Sequence, residues 1–178
     1  MIKSIKKPEE SHTVMNELVL PNDTNTLNNL MGGRLLHWMD IVAAIACQKH
    51  SNSIVVTASV DGVSFKKAIQ LGDVVTLKAQ VTRAFNSSME VFIEVFAQNI
   101  PKGEQFKCND AYYTFVAIDA DNKPVKVPAL EPQTEEDKKY YDGALRRRQV
   151  RLVLAGKLKP KDAHELRDYL VDQNIRNQ

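Results

Sequence analysis

The stretch "PNDTNTLNNLMGGRLLHWMD", residues 21 to 40, decides the fold because it leads a polar loop through two adjacent glycines into an apolar helix. Its first half is rich in Pro, Asn and Asp, which favour turns. From Gly33 to about His50, apolar residues fall on nearly every side of a helix, which is typical of a core helix. One acid, Asp40, interrupts this apolar run. An isolated charge in a packed core is costly, so Asp40 requires either a partner or a function.

Strand patterns lie on both sides of this helix. Each has β-branched or aromatic residues in alternation with polar ones, and short turn-rich connections separate those that follow the helix. The five segments are "HTVMNELVL" (12–20), "IVVTASVDGVSF" (54–65), "DVVTLKAQVTRAF" (73–85), "SMEVFIEVFAQNI" (88–100) and "FKCNDAYYTFVAID" (106–119). We expect the last four to be antiparallel neighbours in chain order. A curved antiparallel sheet wrapped around a buried helix makes the fold class α+β.

The C-terminal part of the chain has a different pattern. A Pro-rich connector, residues 122–132, precedes Thr134 and a run of acids, which together predict the start of a helix. Residues 159–173 predict a further short helix. We therefore expect one main domain over residues 1–130 and a C-terminal helical extension over residues 131–178 that packs on the same domain.

Composition excludes several classes of protein. The 178 residues carry a net charge of +2, which does not favour nucleic acid as a partner, and the basic tail is interleaved with acids. No apolar run reaches about 18 residues, so no membrane span is predicted, and the N-terminus has no apolar core of a secretory signal. Cys47 and Cys108 lie far apart and outside any CxxC pair, so no metal or redox motif is visible. These features predict a cytoplasmic protein.

Three interpretations of Asp40 remain open from the pattern alone. It pairs with His37 one turn earlier, or it belongs to a hydrated stripe that includes Arg34, or it is catalytic. Gly32 and Gly33 bear on this choice, because the first amides of a helix are unpaired and the dipole there is positive. Glycine would let a ligand carbonyl approach these amides as in an oxyanion hole. Alternatively, the glycines only make a sharp turn.

The spacing of these residues has a consequence for assembly. Gly33 and Asp40 are seven residues apart and share a helix face, but about 10 Å separates them along the axis at roughly 1.5 Å per residue. One carbonyl can hardly be held by the first and attacked by the second in the same chain. If both act on one carbonyl, two chains must each supply one half, which predicts a dimer with composite sites.

Four segments in order resemble the hotdog-fold acyl-CoA thioesterases, specifically the acyl-CoA hydrolase branch of cytosolic vertebrate enzymes and their bacterial relatives. They are residues 21–40, "VVTASVDGVSF" (55–65), "VTRAFNSSMEV" (81–91) and "RRRQVRL" (146–152). The resemblance spans roughly residues 13 to 155. It implies a hotdog fold, with a long central helix wrapped by a curved antiparallel sheet. It also implies hydrolysis of acyl-CoA to a free acid and CoA, with no cofactor because CoA is part of the substrate and product.

The resemblance also implies a catalytic pair contributed by facing hotdog units, and its positions match Asn25 and Asp40. Asn25 would hold the attacking water or the thioester carbonyl, and Asp40 would act as general base or as nucleophile. The alternative for Asn25 is an Asx-turn residue in a loop rich in Asn. Many relatives have Gly where this chain has Asn28, which puts the conformation of the loop backbone in question.

CoA contacts in similar enzymes match a strand, a strand-turn-strand segment and a basic helix of this chain. The matching residues are Ala58, Ser59, Val60, Ser87, Ser88, Met89, Arg147 and Arg148. Strand backbone and hydroxyl groups suit the amides of pantetheine, and arginine suits phosphates through its planar fork. The alternatives are turn chemistry for the serines and a solvated helix face for the arginines.

Two other functions compete with hydrolysis. A hotdog dehydratase requires a histidine in the loop before the helix, and residues 21–36 contain none. A hotdog protein that binds acyl-CoA without hydrolysing it would not need both Asn25 and Asp40. The resemblance further implies a homodimer with shared active sites, assembled as a trimer of dimers. From the composition and residue pattern we expect no metal, nucleic acid or membrane as a partner.

Overall fold

The computed structural model describes residues 4–65 and 67–176. They form two compact units, which divide between Glu131 and Pro132. The first unit contains the sheet and the long helix, and the second contains two helices. The expectation that the extension packs on the main domain stays a prediction.

The first unit is built on a five-stranded antiparallel sheet, as the alternation of the sequence predicts. Its strands are β2 (Thr13–Leu18), β3 (Ile54–Asp61), β4 (Val74–Ala84), β5 (Ser88–Asn99) and β6 (Glu104–Ile118), in the order β2-β4-β5-β6-β3. Alternate residues of the central strands are fully buried, because successive side chains of a strand point to opposite faces. The predicted α+β architecture, with a long helix packed on an antiparallel sheet, is confirmed.

The position of β3 corrects one expectation. β3 pairs with β6 at one edge of the sheet and does not neighbour β4. The reason is the length of the connection, since β3 ends at Asp61 and β4 begins only at Val74, which is too far along the chain for a tight turn. The connecting segment runs beside the loop before the helix, where the amide of Leu30 donates to the carbonyl of Ile69 at 2.8 Å and that of Leu71 to Asn28 at 3.0 Å. The short connections do join antiparallel neighbours, β4 to β5 and β5 to β6.

Helix α1 (Gly32–Ser51) begins at the glycine pair and ends before Asn52, whose left-handed conformation stops it. Residues on the side facing the sheet, such as Met39 and Val42, are fully buried. The expectation that every side is buried is wrong, since Ile41 and Ile45 are exposed large hydrophobic residues. A single sheet covers only one side of a helix, so an apolar stripe of α1 is left uncovered within one chain.

Two short strands were not predicted, because a strand of two residues has no period to detect. β1 (Ile5–Lys6) and β7 (Ala129–Leu130) pair in parallel within the first unit. The second unit contains α2 (Glu135–Leu154) and α3 (His164–Arg176). As predicted, Thr134 caps α2, and its hydroxyl accepts from the amide of Asp137 at 3.0 Å. Among the described residues, no helix has the length and apolar character needed to cross a membrane.

Candidate active site

The loop that precedes α1 is fixed by one buried acid, Asp23. Its carboxylate accepts hydrogen bonds from the amide of Leu20 at 3.0 Å and from the guanidinium of Arg34 at 2.7 Å. Its backbone carbonyl accepts from the amide of Met31 at 2.9 Å. These bonds tie both ends of the loop to the first turn of α1. The residues between them are therefore held in place before any ligand arrives.

Asn25 forms an Asx-type turn at the tip of this loop. Its Oδ1 accepts from the backbone amides of Leu27 at 2.9 Å and Asn29 at 3.2 Å. The turn interpretation is thus right for the oxygen of the carboxamide. It does not use the Nδ2 group, which is the donor that a ligand oxygen requires. Asn28 takes a left-handed conformation with φ of 57°. Both Gly and Asn adopt this conformation, so Asn28 is compatible with the backbone that Gly would favour.

The glycines of α1 lie at a helix end without a side-chain cap, because the N-cap residue is Met31. The first amides of an α-helix have no acceptor within the helix, so those of Gly32 and Gly33 remain available as donors. Neither glycine is among those with positive φ, so a sharp glycine-specific turn does not explain them. A Cβ on Gly32 would lie 3.1 Å from the Phe65 ring, whereas one on Gly33 would meet nothing within 4 Å. Nothing within the described chain therefore requires a glycine at position 33.

Asp40 lies half-buried on α1, and its hydrogen-bond partner is Thr57 on β3. The Thr57 hydroxyl donates to Oδ1 of Asp40 at 2.7 Å, so His37 is not the partner. Burial and the negative charge of Asp40 raise the pKa of Tyr113 to about 12, so this phenol stays protonated near neutral pH. The sequence prediction missed Thr57 and named only the residues after it. Thr57 has no distinguishing signal in the sequence, because β3 also contains the polar residues Ser59 and Asp61.

A cavity of about 300 Å³ opens beside the start of α1. Its lining includes Asn25, Gly32, Leu35, Phe65, Ile69 and Asn109. Asp40 is not part of this lining, and it lies eight residues beyond Gly32, about 12 Å further along the helix axis. One chain thus brings together Asn25 and the helix start, but it does not bring Asp40 to them.

The predicted CoA contacts on β3 lie on an edge strand. The pairing of β3 with β6 shifts register between Thr57 and Ser59, so Ala58 is the extra residue of a bulge. Ser59 is half-buried and Val60 is exposed. A bulge on an edge strand presents backbone groups that the ladder does not use, which suits a ligand that carries amides.

The other predicted CoA contacts differ in exposure. Ser87 and Ser88, at the turn into β5, are half-buried, whereas the Met89 side chain is fully buried in the core. In the second unit, Arg147 donates to the carbonyl of Tyr140 at 2.9 Å. Arg148 is half-buried, and its burial and the nearby charge of Arg151 lower its pKa. A bound anion would therefore stabilise the charged form of Arg148 more than it would stabilise an arginine on a fully solvated helix face.

The two cysteines do not offer a nucleophile. Burial raises the pKa of Cys108, which lines the cavity, to about 11, and it raises that of Cys47 well above its ordinary value. Both thiols are therefore protonated near neutral pH, while the thiolate is the reactive form. Within residues 4–65 and 67–176, no group of His, Cys, Asp and Glu is arranged to hold a metal ion.

Comparison with known proteins first identifies the family to which this chain belongs. The family model of the thioesterase superfamily matches residues 27–104. The chain is 40% identical over 139 residues to the uncharacterized acyl-CoA thioester hydrolase YkhA of Bacillus subtilis, a match that covers 78% of this chain and 81% of that protein. The chain therefore belongs to the thioesterase superfamily.

Solved structures narrow the class to the acyl-CoA hydrolases of the hotdog fold. A hexameric acyl-CoA thioesterase superposes with a TM-score of 0.82 at 42% identity, covering 85% of this chain and 97% of that one. The acyl-CoA hydrolase of Staphylococcus aureus, with butyryl-CoA, CoA and CoA disulfide bound, has a TM-score of 0.78 at 36% identity, covering 86% of this chain and 95% of that one. That hydrolase is also known with an aspartate, an asparagine or a threonine changed to alanine. The chain spans only 39% and 35% of the longer cytosolic acyl coenzyme A thioester hydrolases of rat and mouse.

Proposed function

We propose that this chain hydrolyses acyl-CoA to a free carboxylic acid and CoA at sites that two copies share. One copy supplies Asn25 and the start of α1, and the other supplies Asp40 and Thr57. The observation that carries this proposal is the separation within one chain. The oxyanion donors and the acid are each preorganised by their own contacts, yet they lie too far apart along α1 to act on one carbonyl.

The chemistry follows from which groups donate and which accept. The amides at the start of α1 and Nδ2 of Asn25 bind the thioester oxygen and stabilise the negative charge that develops on it. Asp40 either removes a proton from the attacking water or attacks the carbonyl carbon itself. Thr57 occupies one oxygen of Asp40 and so orients the other. In the first case, the proton taken from water passes to the departing sulfur of CoA as the C–S bond breaks. In the second case, CoA leaves as a thiolate and water then hydrolyses the acyl anhydride on Asp40. This second step releases the free acid, regenerates the carboxylate and supplies the proton for the CoA sulfur.

The surface that would receive the second copy is the outer edge of β3. This edge strand carries Ile54, Val56 and Val60, which are 61%, 44% and 45% exposed. Exposed apolar edges promote pairing with another strand, and the stripe of Ile41 and Ile45 on α1 is uncovered as well. A second copy of the same chain would cover both surfaces. Because one relative is named a hexamer, we propose a trimer of such dimers.

Light scattering at micromolar concentration is expected to give an oligomer, with a hexamer as the first expectation. Val56→Lys should dissociate it to smaller species and lower turnover, because a charge on this edge strand opposes pairing. Ile100→Lys is the matched control, since Ile100 is a similarly exposed apolar residue, but it lies in the turn between β5 and β6. A wild-type monomer with full activity would exclude the shared site.

Release of CoA from acyl-CoA, followed with a thiol reagent, tests the activity itself. Purified protein is expected to release CoA in proportion to enzyme concentration. Binding of acyl-CoA without release would instead favour the non-catalytic binding protein. We also propose a cytoplasmic location, which the names of the rat and mouse relatives support.

Arg148→Ala is expected to raise KM for acyl-CoA several-fold with little change in kcat. An arginine–phosphate contact remote from the thioester contributes to substrate binding and not to the chemical step. Added salt should raise the wild-type KM and affect the variant less, because screening weakens the contact that the substitution removes. Arg167→Ala on α3, which removes an exposed arginine beside Asp168, is the control and should leave KM unchanged. An unchanged KM and an unchanged salt response in Arg148→Ala would contradict a contact between Arg148 and a phosphate of CoA.

A further inference from the structure

One polar side chain stands where the core pattern calls for an apolar one. The inner face of β6 consists of Asn109 followed by Ala111, Tyr113, Phe115 and Ala117, all of them buried. Asn109 is only 5% exposed. Its Nδ2 group has no hydrogen-bond acceptor among the described residues. A buried donor without an acceptor is destabilising and uncommon, so it requires an explanation.

The place of Asn109 supplies that explanation. Asn109 is one of the residues that line the same cavity as Asn25 and Gly32, the two groups proposed to hold the thioester carbonyl. The remaining lining combines apolar residues such as Leu35 and Ile69 with the polar Asn29 and Lys67. The cavity of about 300 Å³ is at the small end of ligand pockets, which favours a short ligand. A buried amide that has no partner of its own, next to the apolar part of this wall, selects for a ligand that offers it a hydrogen bond.

We propose that the acyl group of the substrate is short and carries an oxygen beyond the thioester carbonyl, which Asn109 binds. This inference rests on the proposed hydrolysis of acyl-CoA. A hydroxyl suits the site in either orientation of the carboxamide, because it accepts from Nδ2 and donates to Oδ1. A methyl group of similar size satisfies neither. Asn109 is thus a specificity-determining residue and takes no part in breaking the C–S bond.

Matched pairs of substrates that differ by hydroxyl against methyl test the proposal. One pair is 3-hydroxybutyryl-CoA and 3-methylbutyryl-CoA, and the other is 4-hydroxybutyryl-CoA and pentanoyl-CoA. The wild-type enzyme should prefer the hydroxylated member of at least one pair in kcat/KM by at least about 10-fold, because a site built to bind a hydroxyl discriminates against an analogue without it. Equal kcat/KM within both pairs would overturn the proposal while leaving hydrolysis itself intact.

The substitution Asn109→Leu should remove this preference. Its kcat/KM should fall for the hydroxylated substrate and rise for its methyl partner, because the change removes the donor and keeps a side chain of similar size. The melting temperature should be equal or higher, since an unpaired buried amide is lost. A preference that survives in Asn109→Leu, or an equal loss on all four substrates in a folded protein, would contradict a role in acyl selection.

Thr114→Val is the matched control on the same strand. Thr114 is also buried, and its Oγ1 also lacks a hydrogen-bond partner among the described residues, but alternation places it on the opposite face of the sheet. This variant should keep the wild-type preference for the hydroxylated substrate.

A different outcome would contradict the proposed function as a whole. In that outcome the wild-type protein releases no CoA from any of the four substrates, from acetyl-CoA or from a long-chain acyl-CoA.

Discussion

Asp40→Asn is expected to leave the fold intact and to lower kcat by at least about 100-fold, the low end of what a positioned acid or base contributes. The amide keeps an oxygen that can accept from the Thr57 hydroxyl, so the side chain at position 40 keeps its hydrogen-bond partner. It loses the negative charge, which both a general base and a nucleophile need. The decrease should therefore appear in kcat, measured as CoA release at saturating acyl-CoA, with unchanged circular dichroism and melting temperature.

Two further variants are needed to interpret the result for Asp40→Asn. Asp110→Asn makes the same chemical change in a partly exposed acid that is ion-paired with Lys107 at 2.8 Å on β6, and it should leave kcat unchanged. Thr57→Val keeps the acid but removes the donor that orients it, so its loss of kcat should be smaller than that of Asp40→Asn. Near wild-type turnover in Asp40→Asn would exclude Asp40 from the reaction, whatever the other two variants do.

Sequence alone predicts the elements of this fold well because each has its own physical signal. The alternation of residues 73–85 and the observed Val74–Ala84 strand agree, since one face of that strand is in the core. The glycine pair places the start of α1 correctly. Alternation does not encode which strands are neighbours, so the pairing of β3 with β6 was not accessible. The connection of residues 62–73 decides this pairing, and its sequence has no periodicity.

The apolar pattern of α1 was misinterpreted for a related reason. Apolar residues on every side predict burial on every side, but they do not say which chain supplies the cover. Within one chain the sheet covers Met39 and Val42 and leaves Ile41 and Ile45 exposed. The pattern is explained if the uncovered stripe meets a second copy, which is the same arrangement that the separation of Asn25 and Asp40 requires.

Individual candidate residues could be named from the sequence only where their type was unusual for their surroundings. Asp40 and the two glycines stand out in an apolar helix, and the resemblance supplied Asn25. Thr57 and Asn109 do not stand out, because β3 and β6 each contain several polar residues, and polar residues in a strand usually face solvent. The roles proposed for them rest on register and burial, which emerge only when β3 and β6 are placed against α1.

Asn25→Ala is expected to lower kcat by at least about 100-fold as well, the cost of removing one oxyanion-hole donor. The side chain also supports its own loop through the amides of Leu27 and Asn29, so part of the loss would come from a loosened turn. Asn25→Asp separates these effects. It keeps the oxygen that accepts those amides but removes the Nδ2 donor, so it should be as inactive as Asn25→Ala while keeping the loop intact. Full activity in Asn25→Asp would remove this residue from the oxyanion site.

Co-expression of Asn25→Ala with Asp40→Ala distinguishes a shared site from one within a single chain. In random assembly half of the dimers are hybrids, and each hybrid has one intact site and one site that carries both substitutions. Activity should therefore recover to about a quarter of wild type, because the two-fold symmetry of the dimer places each residue opposite the other chain's partner. Co-expression of Asp40→Ala with Asp40→Asn is the control and should give no recovery. If both residues acted within one chain, neither mixture would recover activity. Every chain would then carry a substitution in its own site, and exchange of subunits could not restore one. Recovery in the first mixture alone thus assigns Asn25 and Asp40 of one working site to two different chains.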